Sequence, residues 1–189
     1  MKKLILFGDS NTYGYDPRDF FTGRYPEEIR WTTAVKNALA DEYEVIEEGQ
    51  NGRYLPLASS PFFQNLVNSL DADDTMIMML GTNDILLTDD PDAGMPVQRM
   101  KEILSFAKDN CRGRFIVIAP PYVSDAFPDL KEYHECCVKM NSGFMALANE
   151  YGITLFDAAS WGIPLSSDGV HFSAEGHRKF AEEFLKCFK

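Results

Sequence analysis

The chain has no apolar stretch long enough to span a bilayer, and its first apolar run, Leu4–Phe7, is only four residues. A membrane helix needs about 20 such residues, and a secretory signal needs an apolar core of roughly 7–15. A cytoplasmic location without a membrane partner is therefore expected. Basic residues are also short: 18 Lys and Arg stand against 29 Asp and Glu, a net charge of -11. That balance disfavours nucleic acid and anionic membrane surfaces as partners. Cysteine is scarce. Cys111, Cys136, Cys137 and Cys187 fit no zinc spacing, and two are adjacent. Reduced thiols, no metal and no cofactor are expected. What the chain does have is apolar material: 45% hydrophobic and 13% aromatic over 189 residues. That suffices for one domain, residues 1–189, with a full core.

Five short apolar runs alternate with helical patterns. The runs are Leu4–Phe7, Tyr43–Ile46, Thr75–Leu80, Arg114–Ala119 and Ile153–Phe156. Charge barely interrupts them, as in strands buried on both faces of a parallel sheet. Helical stripes follow: Trp31, Val35 and Leu39; Val97, Met100, Ile103, Leu104 and Ala107, with Pro96 in a first turn; Met140, Phe144, Leu147 and Tyr151; and Phe180, Phe184, Leu185 and Phe188, with Ser173 as N-cap. This alternation predicts an α/β fold with a five-stranded parallel sheet. The segments 11–29, 47–59 and 158–171 read as long loops, and loops of that length tend to carry function.

Ligand sites in such sheets lie at the carboxyl ends of the strands. Ser10 follows the first run within Gly8-Asp9-Ser10-Asn11-Thr12-Tyr13-Gly14. Asn51-Gly52 follow the second, Gly81-Thr82-Asn83-Asp84 the third, and Asp168 and His171 the fifth. Four segments thus converge on one rim. A serine hydroxyl needs a base to take its proton, and histidine suits that role near neutral pH. Asp168, three residues before His171, can fix its tautomer and stabilise the imidazolium. An oxyanion needs preorganised donors; the Ser10 and Gly52 backbone N–H groups and the Asn83 amide are the candidates. Read singly, Gly8-Asp9-Ser10, Gly52 and Gly81-Thr82-Asn83-Asp84 are also good turn sequences. His134 and His177 compete with His171, but both lie in helical stretches and read as solvated or structural. Asp157 is a rival partner for the histidine.

Taken together, the four segments resemble the signature blocks of the SGNH hydrolase (GDSL-type esterase) superfamily across essentially the whole chain. The resemblance implies a flavodoxin-like three-layer α/β/α sandwich. It implies Ser10 as nucleophile, Asp168 and His171 as the Asp-x-x-His pair, and Ser10, Gly52 and Asn83 as the oxyanion hole. Asn11 stands where the family name has leucine, a position that does no chemistry. In the second block, Glu47-Glu48-Gly49-Gln50-Asn51-Gly52-Arg53, Gly49 competes with Gly52 as donor. Gly14-Tyr15-Asp16, Arg30-Trp31-Thr32 and Val45-Ile46-Glu47-Glu48-Gly49 look like the arylesterase and acetyl-ester branch. Members of that branch assemble as oligomers and often carry a longer insertion between the second and third blocks. Here that connection is short, so monomer and homo-oligomer both stay open.

The expected activity is metal-independent serine esterase action on a small-molecule ester, with a short, acetyl-like acyl group. A lysophospholipase or thioesterase would present the same triad, and a non-catalytic binder of acylated sugars is a further alternative. A phospho-acceptor receiver domain is disfavoured, because strand five ends in Phe156-Asp157-Ala158 with no lysine. The bulky residues Tyr13, Tyr15, Phe20, Phe21 and Tyr25, with Trp31, read either as walls of a short acyl groove near Ser10 or as a cover for the sheet edge or a subunit contact. Tyr13 and Trp31 are the named substrate-binding candidates.

Overall fold

A computed structural model describes residues 1–188 of the protein. Its centre is a sheet of five parallel strands: β1 (Lys2–Gly8), β2 (Tyr43–Gly49), β3 (Thr75–Met79), β4 (Arg114–Ala119) and β5 (Thr154–Asp157), in the order β2-β1-β3-β4-β5. This is the flavodoxin-like order, whose ligands bind where successive strands diverge to either side of β1. Past their first one or two residues the interior strands are apolar, because helices cover both faces. All five residues of β3, for example, are buried. The edge strand β2 instead carries Glu44, Glu47 and Glu48, charges that discourage pairing with another chain.

Strand periodicity divides the core in two. Ile5, Phe7, Met76, Met78, Phe115 and Val117 face helices α3 (Pro61–Asn68), α5 (Gly94–Asn110) and α6 (Lys131–Tyr151). Leu4, Leu6, Ile77, Met79, Ile116 and Ile118 face α2 (Trp31–Ala38) and α7 (Ala174–Phe188). The layers are thus helix, sheet, helix. Two short helices complete the set: α1 (Ser10–Tyr13) directly after β1, and α4 (Thr82–Leu86) after β3.

The strands lie within two or three residues of their expected places, and the four long helical stripes all form helices. Ser173 caps α7 as expected, its Oγ accepting the Gly176 N–H at 3.0 Å. Three departures concern the loops. Segment 11–29 begins inside α1, β2 runs on to Gly49, and α3 has no counterpart in the sequence reading. Only Phe63 and Val67 of α3 are buried, one turn apart. Two anchors behind Pro61 make a weak periodic signal.

Candidate active site

The loop after β1 tightens at once into a single helical turn. Asp9 caps it: its carboxylate accepts the Asn11 N–H at 3.0 Å, and its carbonyl accepts from Tyr13 N at 2.8 Å. Ser10 is therefore held at the first position of α1, over the end of β1. Across the rim, the segment before α7 folds into an Asx turn. Asp168 Oδ1 accepts the N–H groups of Val170 and His171, both at 3.0 Å. The other oxygen, Oδ2, accepts from His171 Nδ1 at 2.6 Å. A carboxylate opposite Nδ1 assigns the proton to that nitrogen. Nε2 is left as an acceptor and lies 3.0 Å from Ser10 Oγ. The three side chains form a continuous relay from hydroxyl to imidazole to carboxylate.

Electrostatics follow this geometry. Burial acts to raise the Asp168 pKa, but the His171 side chain and the two backbone N–H groups hold it below the usual carboxylate value. Asp168 thus stays charged beside the imidazole. Asp9 goes the other way: burial pushes its pKa up to about 6, against the Asn11 N–H, His171 and Arg53.

Gly52 and Asn83 come from the two strands that flank β1, following β2 and β3 respectively. Asn83 lies on α4, and its Nδ2 donates to the Arg53 carbonyl at 3.0 Å. That bond uses one amide hydrogen and orients the other. Arg53 ties this half together. Its guanidinium donates to the carbonyls of Gly8 and Glu48 and to Gln50 Oε1, and lies 4.4 Å from the Phe7 ring centre. Asp84 adds a second tie, accepting Leu55 N–H at 2.9 Å and pairing with Arg99 at 3.0 Å. Neither Arg53 nor Asp84 was singled out from the sequence; a half-buried arginine that bonds the carbonyls of two separate strands leaves no local pattern.

The second block resolves into two glycines with different surroundings. Gly49 ends β2 and packs against α1, where a Cβ would stand 2.3 Å from Tyr13 N. Gly52 occupies a left-handed turn, φ 69°, with open space where a Cβ would project.

The aromatic residues depart from expectation. Trp31 is 1% exposed, packed on Phe180 and Phe184, and its Nε1 donates to the Asn11 carbonyl at 2.9 Å. It is core, not a groove wall, because α7 covers the face of α2 that carries it. Tyr13 lies under the Arg24 guanidinium, 4.2 Å from its ring centre. Tyr25 is buried against His177. Phe20 and Phe21 are 94% and 99% exposed, on a turn held by the Asp19 carboxylate. Of this group, Tyr15 is the one that meets the relay, its ring centre 4.6 Å from that of His171.

The rivals lie elsewhere. His134 Nδ1 contacts the Val123 carbonyl at 2.7 Å. His177 is fully buried beneath α2, and burial, with Arg30 nearby, lowers its pKa to about 4. Asp157 makes no hydrogen bond with His171; that place is taken by Asp168. Among the described residues, no group of three or more His, Cys, Asp or Glu is arranged to hold a metal ion, and no helix is long and apolar enough to cross a membrane.

Comparisons with known proteins agree with this architecture. No curated protein sequence matches the chain significantly. Among solved structures, the native aryl esterase of M. smegmatis superposes with a TM-score of 0.82 at 23% identity, over 100% of this chain and 98% of that one. A carbohydrate acetylesterase from Sinorhizobium meliloti gives 0.80 at 24% identity, over 100% and 98%. A member of the lipolytic protein G-D-S-L family from Veillonella parvula gives 0.79 at 21% identity, over 100% and 98%. These likenesses establish the shared fold. The profile of the GDSL-like lipase/acylhydrolase family matches residues 6–179, nearly the whole chain, and the chain therefore belongs to that family of esterases and acylhydrolases.

Proposed function

We propose that the protein hydrolyses short-chain carboxylic esters, acetyl esters above all, through an acyl-enzyme intermediate on Ser10. The observation that carries this reading is the relay from Ser10 Oγ to His171 Nε2 at 3.0 Å and from His171 Nδ1 to Asp168 at 2.6 Å. His171 takes the hydroxyl proton as Ser10 Oγ attacks the ester carbonyl. The negative charge moves to the carbonyl oxygen, where the Ser10 and Gly52 N–H groups and the second Asn83 amide hydrogen donate to it. Collapse expels the alcohol, which leaves with the proton from His171. Water then attacks the acyl-enzyme, with His171 again as base. Asp168 keeps the imidazole in the required tautomer and offsets its charge. No step requires a metal ion.

The structural relatives include a carbohydrate acetylesterase and an aryl esterase, which suits a small acyl group on varied alcohols. The test is kcat/KM over p-nitrophenyl acetate, butyrate and octanoate. Values should peak at acetyl to butyryl and fall at octanoyl. A rise through octanoyl would overturn the short-acyl assignment in favour of a lysophospholipase or thioesterase. Absence of turnover on every ester would leave a binder of acylated ligands.

A further inference from the structure

Asn11 is 7% exposed and lies between the two segments that meet in the relay. Its Oδ1 accepts the Phe172 N–H at 2.9 Å, and its Nδ2 donates to the Val170 carbonyl at 3.4 Å. The two bonds bracket His171, one on the residue before it and one on the residue after. A neighbouring strand would offer such a donor and acceptor from its peptide groups. Here the segment lies outside the sheet, its own bridge pairing Leu165 with Phe172 within the segment, and a side-chain amide supplies the pairing to the serine turn instead.

The backbone of Asn11 is itself fixed. Asp9 holds its N–H at 3.0 Å, and the Trp31 indole donates to its carbonyl at 2.9 Å. Among the described residues, the other hydrogen bond between the Ser10–Gly14 turn and residues 168–172 is the Ser10–His171 bond itself. Once Ser10 Oγ is acylated it has no proton to donate, so that bond does not persist through the whole proposed reaction. The brace has to come from a group that does not react.

We infer that Asn11 is a positioning residue: its amide sets the separation of Ser10 Oγ and His171 Nε2 by tying the serine turn to the histidine loop. This rests on the reading of Ser10 and His171 given above. Asn11 itself touches no reacting atom. Leucine has similar volume and neither donates nor accepts, so it would leave both backbone groups beside His171 without this partner.

The test uses Asn11→Leu and, as the variant that adds no shape mismatch, Asn11→Ala, each also made in the Ser10→Ala background. A displacement of about 1 Å in a reacting pair costs roughly 10²-fold, so kcat on p-nitrophenyl acetate should fall about 10–100-fold, with KM within about twofold. In the Ser10→Ala background the same substitutions should leave the residual rate unchanged, because there is no hydroxyl left to position. A folded Asn11→Ala with kcat within twofold of the parent overturns the proposal. So does an equal fold-loss in both backgrounds, or a lower melting temperature with kcat retained. The Ser10→Ala control separates the two levels: full activity there would sink the triad itself, whereas an inactive control with active Asn11 variants would sink this inference alone.

Discussion

The two halves of the site are built differently. The serine–histidine half is held by bonds that converge on the reacting side chains: Asp9 on the serine turn, Asp168 on the imidazole, and Asn11 between the two segments. The oxyanion half has its donors placed at second hand. Asn83 is oriented by a carbonyl of Arg53, and the Arg53 side chain is pinned to Gly8, Glu48 and Gln50. Short motifs specify the first half, and long-range packing around one arginine specifies the second. On the proposed mechanism, the first half moves a proton and needs a fixed distance, and the second offers N–H groups to an oxygen that carries charge only in the intermediate.

The sharpest way to separate the halves is to delete one from each. Ser10→Ala should lower kcat by about 10⁴–10⁶-fold with little change in melting temperature, since triad members act as a unit. Asn83→Ala should cost about 10²–10³-fold in kcat with a small change in KM. If Asn83 only caps a turn, the melting temperature would drop and kcat would stay; both quantities measured on one preparation decide between these.

Stability against pH offers a second cut, through two buried groups of opposite sign beside the serine turn. His177 has a folded pKa near 4 against 6.5 unfolded. Between those values the unfolded chain takes up a proton that the folded chain refuses. Its contribution is full above pH 6.5 and is lost as the pH falls towards 4, by about 3 kcal/mol. Asp9, raised from 3.8 to about 6, runs the other way. The folded chain holds that proton more tightly, so its contribution is present below pH 3.8 and lost as the pH rises through 6. In thermal melts from pH 4 to 8, His177→Gln should flatten the acid limb. Asp9→Asn, which keeps an acceptor for the Asn11 N–H, should melt higher than the parent at pH 7 and lose that gain by pH 4. An unchanged acid limb in His177→Gln would show that His177 is not held neutral.

The two glycines of the second block give a smaller, cleaner contrast. Gly49→Ala drives a Cβ into the backbone of α1 and should lower both stability and kcat. Gly52→Ala meets open space, so its cost should be the left-handed backbone alone, about 1–2 kcal/mol. Chemical denaturation of both variants measures the difference. A larger loss for Gly52→Ala would reverse the reading of which glycine packs and which faces the site.

The same contrast explains what the sequence made legible. Asp168 and His171 are three residues apart, and a single Asx turn joins them, so local spacing carried the information. The strands were readable because burial on both faces leaves little room for charge. Arg53 was not readable, because its carbonyl partners lie on segments whose proximity only the fold creates. Trp31 was placed at the groove on its chain neighbourhood, whereas the packing of α7 on α2 puts it in the core. Helix α1 is one turn long and α3 rests on two anchors, so neither offers enough periods to register.

The most direct measurement of the central claim is mass spectrometry of the protein after reaction with a fluorophosphonate, which labels a serine only when a base activates it. One equivalent should attach to the peptide carrying Ser10, with loss of esterase activity in proportion, and His171→Ala should react far more slowly. Labelling of another residue with activity lost, or full activity retained after complete modification of Ser10, would contradict the account.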